Sequence, residues 1–190
     1  AQSLNALAVG ALVKDTGTLY NGKPIIWKIA QGHTGYPSGA VTLITERIIS
    51  LKCFDAIESG NSDATAQYGN NRWTLSNVRQ WLNSQAAAGK WYSAQHSADA
   101  APTNANVWSN YNEYDAEAGF LAGFSATFVA ALLSTTHTVG KASVDGGGTE
   151  SCTDKIFLAT CTEVGLSGDV TAGSKLALFS DNNSRLAYPT

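Results

Sequence analysis

The sequence predicts an α+β fold. Three observations carry this. β-branched and aromatic runs, punctuated by Gly, Asn and Pro, fill the first 50 residues. Two short helix-period segments follow Thr74 and Ser125. The elements also come in irregular order, not as alternating β-α units. No repeat period of about 20–50 residues recurs, which disfavours solenoids and propellers. No composition break marks a domain boundary, so 1–190 reads as a single domain.

Val9-Gly10-Ala11-Leu12-Val13 and Ile25-Ile26-Trp27-Lys28-Ile29 predict a β-hairpin over 8–30. Turn chemistry occurs twice between them, at Lys14-Asp15-Thr16-Gly17-Thr18 and at Asn21-Gly22-Lys23-Pro24. Residues 31–39, with Gly, Pro and His33, read as a loop. Val41-Thr42-Leu43-Ile44-Thr45 alternates apolar residues with Thr, as a half-buried strand does, and Ile48-Ile49-Ser50-Leu51 extends it or forms a second short piece. Residues 55–73 lose all period. Thr74 is placed to cap a helix whose apolar face is Leu75, Val78, Trp81 and Leu82, ended by Asn83-Ser84 and Gly89. Residues 89–119 form a long polar segment holding Trp91, Tyr92, His96, Trp108, Tyr111 and Tyr114. Ser125 is placed to cap a second helix over 126–134. Asp145-Gly146-Gly147-Gly148-Thr149 reads as a joint, and Thr153-Asp154-Lys155-Ile156-Phe157-Leu158 as a strand.

Composition excludes several function classes. Charged residues are only 14% of the 190, against 44% hydrophobic, and the net charge is −3. A nucleic-acid binder needs a basic stripe, which is absent. The N-terminus has no basic region followed by an apolar run, and the segment 126–133 is far short of the ~20 residues of a bilayer span. This predicts synthesis in the cytoplasm without a cleaved signal and no membrane insertion. Cys53, Cys152 and Cys161 are odd in number and read as reduced thiols, although a Cys152–Cys161 bridge across a loop is geometrically conceivable.

Catalytic patterns are poor. Gly123-Phe124-Ser125-Ala126-Thr127 lacks the second Gly of a nucleophile elbow, so Ser125 reads as a helix cap. His33, His96 and His137 lie in polar stretches with no partner pattern, and no Cys sits at metal-ligand spacing from a His. Gly146-Gly147-Gly148 is followed by Thr149-Glu150, not by the Lys-Ser or Lys-Thr of a phosphate loop. Two oxygen-rich clusters could attract calcium ahead of zinc: Asn110, Asn112, Glu113, Asp115 and Glu117, and Asp145, Glu150 and Asp154. Neither has the spacing of an EF-hand loop, so they read as solvated turns, with no metal ligand and no cofactor assigned. What survives is an aromatic-polar surface. Tyr and Trp among Ser, Asn and Gly offer contact area at low entropic cost, and their rings stack on the apolar faces of sugars. Simple packing of those rings onto the core is the competing reading.

Tyr68-Gly69-Asn70-Asn71-Arg72-Trp73-Thr74-Leu75-Ser76-Asn77-Val78-Arg79-Gln80-Trp81-Leu82-Asn83 resembles the central block of a family of bacterial and phage-borne domains, the DUF6273 type. Ile25-Ile26-Trp27-Lys28, Leu43-Ile44-Thr45 and Thr153-Asp154-Lys155-Ile156-Phe157-Leu158 are similar to further blocks of it. Trp91-Tyr92-Ser93-Ala94-Gln95-His96, Asn110-Tyr111-Asn112-Glu113-Tyr114-Asp115 and Ala187-Tyr188-Pro189-Thr190 resemble a phage-associated branch. The resemblance implies a C-type-lectin-like fold, similar to the variable proteins of diversity-generating retroelements. It also implies encoding among phage or prophage structural genes, and it carries over no established enzymatic activity, so no enzyme is expected. Relatives continue into a Trp-Trp-Leu-Arg-type strand and an Arg-Pro segment. The implied domain therefore lacks the C-terminal strands, either as the N-terminal portion of a longer domain or as a branch that closes its fold differently.

The reading that results is a phage or prophage structural and display protein on the virion surface. Its lectin-like domain recognises a cell-surface ligand, glycan or protein, through Trp108, Tyr111 and Tyr114. Its other partners are virion structural proteins and further copies of itself in a homo-oligomer, with no nucleic acid. A purely structural capsid-decoration, fibre or tail component is the first alternative. An enzyme on a lectin-like scaffold, using His96 or His137 with a carboxylate, is the second.

Overall fold

Asn21 and Gly22 both hold positive φ, 49° and 74°, the backbone of a two-residue hairpin turn. They join β1 (Leu12–Tyr20) to β2 (Lys23–Gln31), and β3 (Thr42–Thr45) pairs antiparallel with the far edge of β2. The computed structural model describes residues 3–32, 39–61, 64–168 and 170–189; the expected loop over 31–39 lies largely outside these. Of the two turn signals, only Asn21-Gly22 turns the chain. Residues 14–18 instead form an irregularity within β1, between Lys14 and Leu19. There the Asp15 carboxylate accepts from the Thr18 and Ser125 hydroxyls, so its polar side chains dock a helix.

That helix is α3 (Ala126–Ala131). Ser125 caps it as expected, its Oγ accepting from the Phe128 N–H at 3.1 Å. The helix ends three residues earlier than the predicted 134, because Leu132 takes an extended backbone (φ −68°, ψ 122°). β2 faces it with alternating burial: Ile25, Trp27 and Ile29 point inward. Trp27 stacks on Phe128 at 5.7 Å and meets Phe124 edge-on at 6.1 Å. A second apolar cluster joins Ala30 to Leu176 and Phe179, sealed by the Leu178 N–H donating to the Ala30 carbonyl at 2.9 Å.

These elements lie in the first of two compact units, Ala1–Ser50, Phe124–Val139 and Ser151–Thr190. The second comprises Leu51–Gly123 and Gly140–Glu150. It holds α1 (Thr65–Tyr68), in a stretch where the sequence shows no period, and α2 (Asn77–Leu82). The cap of α2 is Ser76, not Thr74. Ser76 Oγ accepts from the Arg79 N–H at 3.4 Å, while Trp73–Leu75 form a separate 3-10 turn. Thr74 lies inside that turn, ahead of the cap of α2, and its hydroxyl donates to Glu150 at 2.6 Å. Val78, Trp81 and Leu82 are buried as the apolar spacing requires.

The chain's last two strands, β4 (Thr135–Gly140) and β5 (Thr149–Asp154), pair as a ribbon. The strand expected over 153–158 thus lies four residues earlier, and β4 has no counterpart in the sequence reading. The Gly-rich joint is the ribbon's turn: Gly146, Gly147 and Gly148 all hold positive φ, and the Lys141 N–H donates to the Gly148 carbonyl. Mixed short helices and antiparallel strands make the protein α+β. No helix among the described residues is long and apolar enough to cross a membrane.

Ser76 is fully buried and bonds at both ends, donating to the Trp73 carbonyl as well as capping α2. We expect Ser76→Ala to lower stability by roughly 1–2 kcal/mol. Urea unfolding should show a lower midpoint with an unchanged slope, whereas capping by Thr74 would leave the midpoint unmoved.

Candidate functional site

The long segment 89–119 is irregular, held in the second unit by aromatic packing. Trp91 lies flat on Tyr114 (5.4 Å, 4° between planes), and Tyr114 meets Trp81 edge-on at 5.6 Å. The Tyr114 hydroxyl donates to the Cys53 carbonyl at 3.1 Å. Lys52 places its ammonium 5.3 and 5.4 Å from the Trp81 and Tyr114 ring centres while pairing with Glu117. Tyr114, only 1% exposed, is therefore a core residue, and its proposed ligand contact is corrected to internal support. Trp108 and Tyr111 differ, at 51% and 72% exposure. Trp108 leans on the exposed Tyr68 at 4.7 Å, tilted by 57°. Ser109, Asn110 and Asn112, beside these rings, all hold positive φ (57°, 58° and 63°), a backbone that non-glycine residues rarely take. Asn104 donates to the Asn110 carbonyl and Cys53 N–H to that of Asn112, which fixes the loop.

Beneath lies a polar node. Asp55 accepts from the Asn77 and Asn70 backbone N–H groups at 2.9 and 3.1 Å, and from the Asn70 side chain at 2.5 Å. Asn70 also donates to Glu58, which bonds Asn61 and lies 2.7 Å from His96 Nε2. His96 Nδ1 stands 3.9 Å from Asp99. Burial pushes the Asp55 carboxyl up to about 7, against the pull of the Asn77 and Asn70 N–H bonds and helped by Glu58 and Asp99. Burial likewise pushes the Cys53 thiol up to about 12, with Asp55 adding to it, so that sulfur is inert.

A third group lies in the first unit, on the ribbon. Every second residue of β4 faces inward, Thr135, His137 and Val139, and so do Cys152 and Asp154 of β5. On the opposite face Thr136 and Thr153 join hydroxyls at 2.8 Å. That pairing sets the register that brings His137 between Cys152 and Asp154. His137 Nε2 is 2.9 Å from Asp154 Oδ2 and 3.2 Å from Cys152 Sγ, and Sγ is 3.4 Å from Oδ2. Phe157 stacks on the imidazole at 4.1 Å.

A family model described as a domain of unknown function, DUF6273, matches residues 39–190. The chain belongs to this family. No curated protein and no solved structure matches it. The DUF6273 region contains all three groups above, while the β1–β2 hairpin precedes it.

Three carboxylates of the oxygen-rich clusters in the DUF6273 region have partners elsewhere. Glu150 pairs with Arg72 through two bonds, at 2.8 and 2.5 Å, which with the Thr74 hydroxyl holds its carboxyl down to about 2. Asp154 turns to His137, and Glu117 to Lys52. All three cysteines are free thiols, with Cys152 buried and Cys161 exposed, so the conceivable bridge between them is not formed. Ser125 Oγ is engaged at both ends, by Asp15 and by the Phe128 N–H. Of the histidines, His33 lies outside the described residues, while His96 and His137 each face a carboxylate. The sequence reading missed these partners. The signal available was alternation: Thr135-Thr136-His137-Thr138-Val139 and Cys152-Thr153-Asp154 each place chemistry on one strand face.

The Asp55 carboxyl titrates near 7 in the folded protein, against the ordinary 3.8. The folded chain thus holds a proton that the unfolded chain has already released. The stability this contributes is complete below 3.8 and is lost as pH rises through about 7. We expect the urea midpoint to fall between about pH 4 and pH 7 and to level off above, and the Asp55 carboxyl carbon to titrate near neutrality by NMR. A carboxyl titrating near its ordinary value would refute this.

Proposed function

We propose that the protein is a structural and display component of a phage or prophage particle, in which a lectin-like domain recognises a cell-surface ligand through Trp108 and Tyr111. The observation that carries this is the pair of exposed rings, with Tyr68 alongside, mounted on a loop of unusual backbone. Flat, half-exposed aromatic surfaces at low charge suit the apolar face of a sugar, so a glycan is the favoured ligand over a protein. Trp108 is already positioned against Tyr68, which lowers the entropic cost of binding through it. Tyr114 anchors the segment from below by stacking on Trp91. The resemblance of the Trp91–His96 and Asn110–Asp115 strings to a phage-associated branch supports the particle and the lectin-like scaffold.

With few charges at its disposal, the protein suits broad neutral contacts, and assembly with copies of itself and with other virion proteins fits the same reading. No bond-making step enters into it.

We expect Trp108→Ala to weaken ligand binding by roughly 1–3 kcal/mol, about five- to 150-fold, and Tyr111→Ala to do likewise, with the melting temperature unchanged. A glycan array followed by calorimetry on a retained sugar checks this, with whole-cell binding for a protein ligand. Absence of binding by the intact assembled protein in both assays would overturn the proposal.

A further inference from the structure

We infer that His137, Cys152 and Asp154 form a binding site for a transition-metal ion of the zinc class. This stands apart from the aromatic surface, since these residues are buried on the β4–β5 ribbon. One nitrogen, one sulfur and one oxygen donor converge there, all within 4.8 Å of one another. Their separations are 2.9, 3.2 and 3.4 Å. Around a tetrahedral zinc with ordinary bond lengths, the corresponding edges are roughly 3.3–3.6 Å. The three atoms need to part by only a few tenths of an ångström to admit the ion.

The charges also suit an ion. With a dication bound, the Cys152 thiolate and the Asp154 carboxylate balance it, and the imidazole is neutral. On binding, the thiol S–H bond breaks and its proton passes to solvent. The imidazole binds through Nε2 and holds its proton on Nδ1, with no change of oxidation state.

A Cys-His-Asp nucleophile relay fits less well. Such a relay sets the thiol on one ring nitrogen and the carboxylate on the other. Here both face Nε2, and the carboxylate beside the sulfur opposes formation of a reactive thiolate. The same arrangement suits a ligand set, in which all donors point to one centre. Sulfur and imidazole donors select zinc, cobalt or a similar ion over calcium, which takes oxygen ligands. Phe157 against the ring fixes its plane. Three protein donors leave the fourth position to water or to an external ligand.

The test is a titration of the full chain with cobalt(II), followed by displacement with zinc. The expected result is one equivalent bound, with the visible bands of a tetrahedral cobalt site and a thiolate-to-cobalt charge-transfer band. Zinc should abolish both. Cys152→Ser should remove the charge-transfer band, and Cys152→Ser and Asp154→Asn should each weaken affinity at least about tenfold. Cys53→Ala and Cys161→Ser should bind as the parent does. Nitrogen NMR of the unmodified protein provides a readout that needs no variant to fold: zinc should shift His137 Nε2. Failure of the unmodified protein to bind, a charge-transfer band that survives Cys152→Ser in a folded variant, or an unmoved His137 Nε2 would each overturn the inference.

Discussion

The second unit depends on a pairing between the segment at Asp55 and the start of α2. Asp55 accepts from the Asn77 N–H, the Asn77 side-chain oxygen accepts from the Ala56 N–H at 2.8 Å, and the Val78 N–H reaches the Phe54 carbonyl. The result is a short ladder made half of backbone and half of side chain. A chain with so little regular structure needs such a device. Its buried N–H and C=O groups cannot all find helix or sheet partners, and each one left unpaired costs about 1–3 kcal/mol. Asn suits the task because its amide accepts through oxygen and donates through nitrogen. Asn77 therefore serves the Ala56 N–H and the Asp99 carboxylate at once. Replacing it with any apolar residue would orphan the Ala56 N–H and leave Asp99 with the Gln95 N–H.

The same logic explains Gly69. Its φ is +74°, and a Cβ there would stand 2.6 Å from the Ala56 carbonyl oxygen. The chain must pass this close for Asn70 to reach both Asp55 and Glu58. Close approach, positive φ and the carboxylate node are one constraint, and α1 ends where it does because of it.

Much of the scaffold was legible in the sequence, and the failures share a cause. The hairpin, β3 and the Ser125 cap were readable because each depends on nearest neighbours: alternation, or a hydroxyl three residues from its N–H. Thr74 and Ser76 are chemically near-equivalent caps, and what separates them is the 3-10 turn over Trp73–Leu75, which encloses Thr74 and leaves Ser76 at the start of α2. The polar run 14–18 looked like a turn because Asp, Thr and Gly favour turns, but here they serve α3. Among the aromatics, composition could not separate Tyr114 from Tyr111. One is stacked on Trp91 and the other stands in solvent, although both sit in the same polar stretch. The His137 group was invisible for the plainer reason that β4 went unread. Once both strands are drawn, the alternation that buries Thr135, His137 and Val139 also aims His137 at Cys152 and Asp154.

The chain is sparing with charge, yet it places Asp55, Glu58, Asp154 and Glu163 in its interior. A buried carboxylate is tolerated only with donors around it. For Glu163 they are local: the Thr160 N–H donates to its carboxylate at 2.8 Å and shapes a turn. For Asp55 they are amides, and for Glu58 they are the amides of Asn70 and Asn61 together with the His96 imidazole. Asp154 faces a thiol and an imidazole. Those groups differ from amides in kind, since a thiolate and a neutral imidazole each offer a lone pair to a metal while an amide nitrogen does not. A hydrogen-bonded staple of the ribbon could be built from Asn, Ser or Thr at lower desolvation cost. The use of three ionisable ligand types at one point is therefore the feature of the first unit that structure alone does not account for.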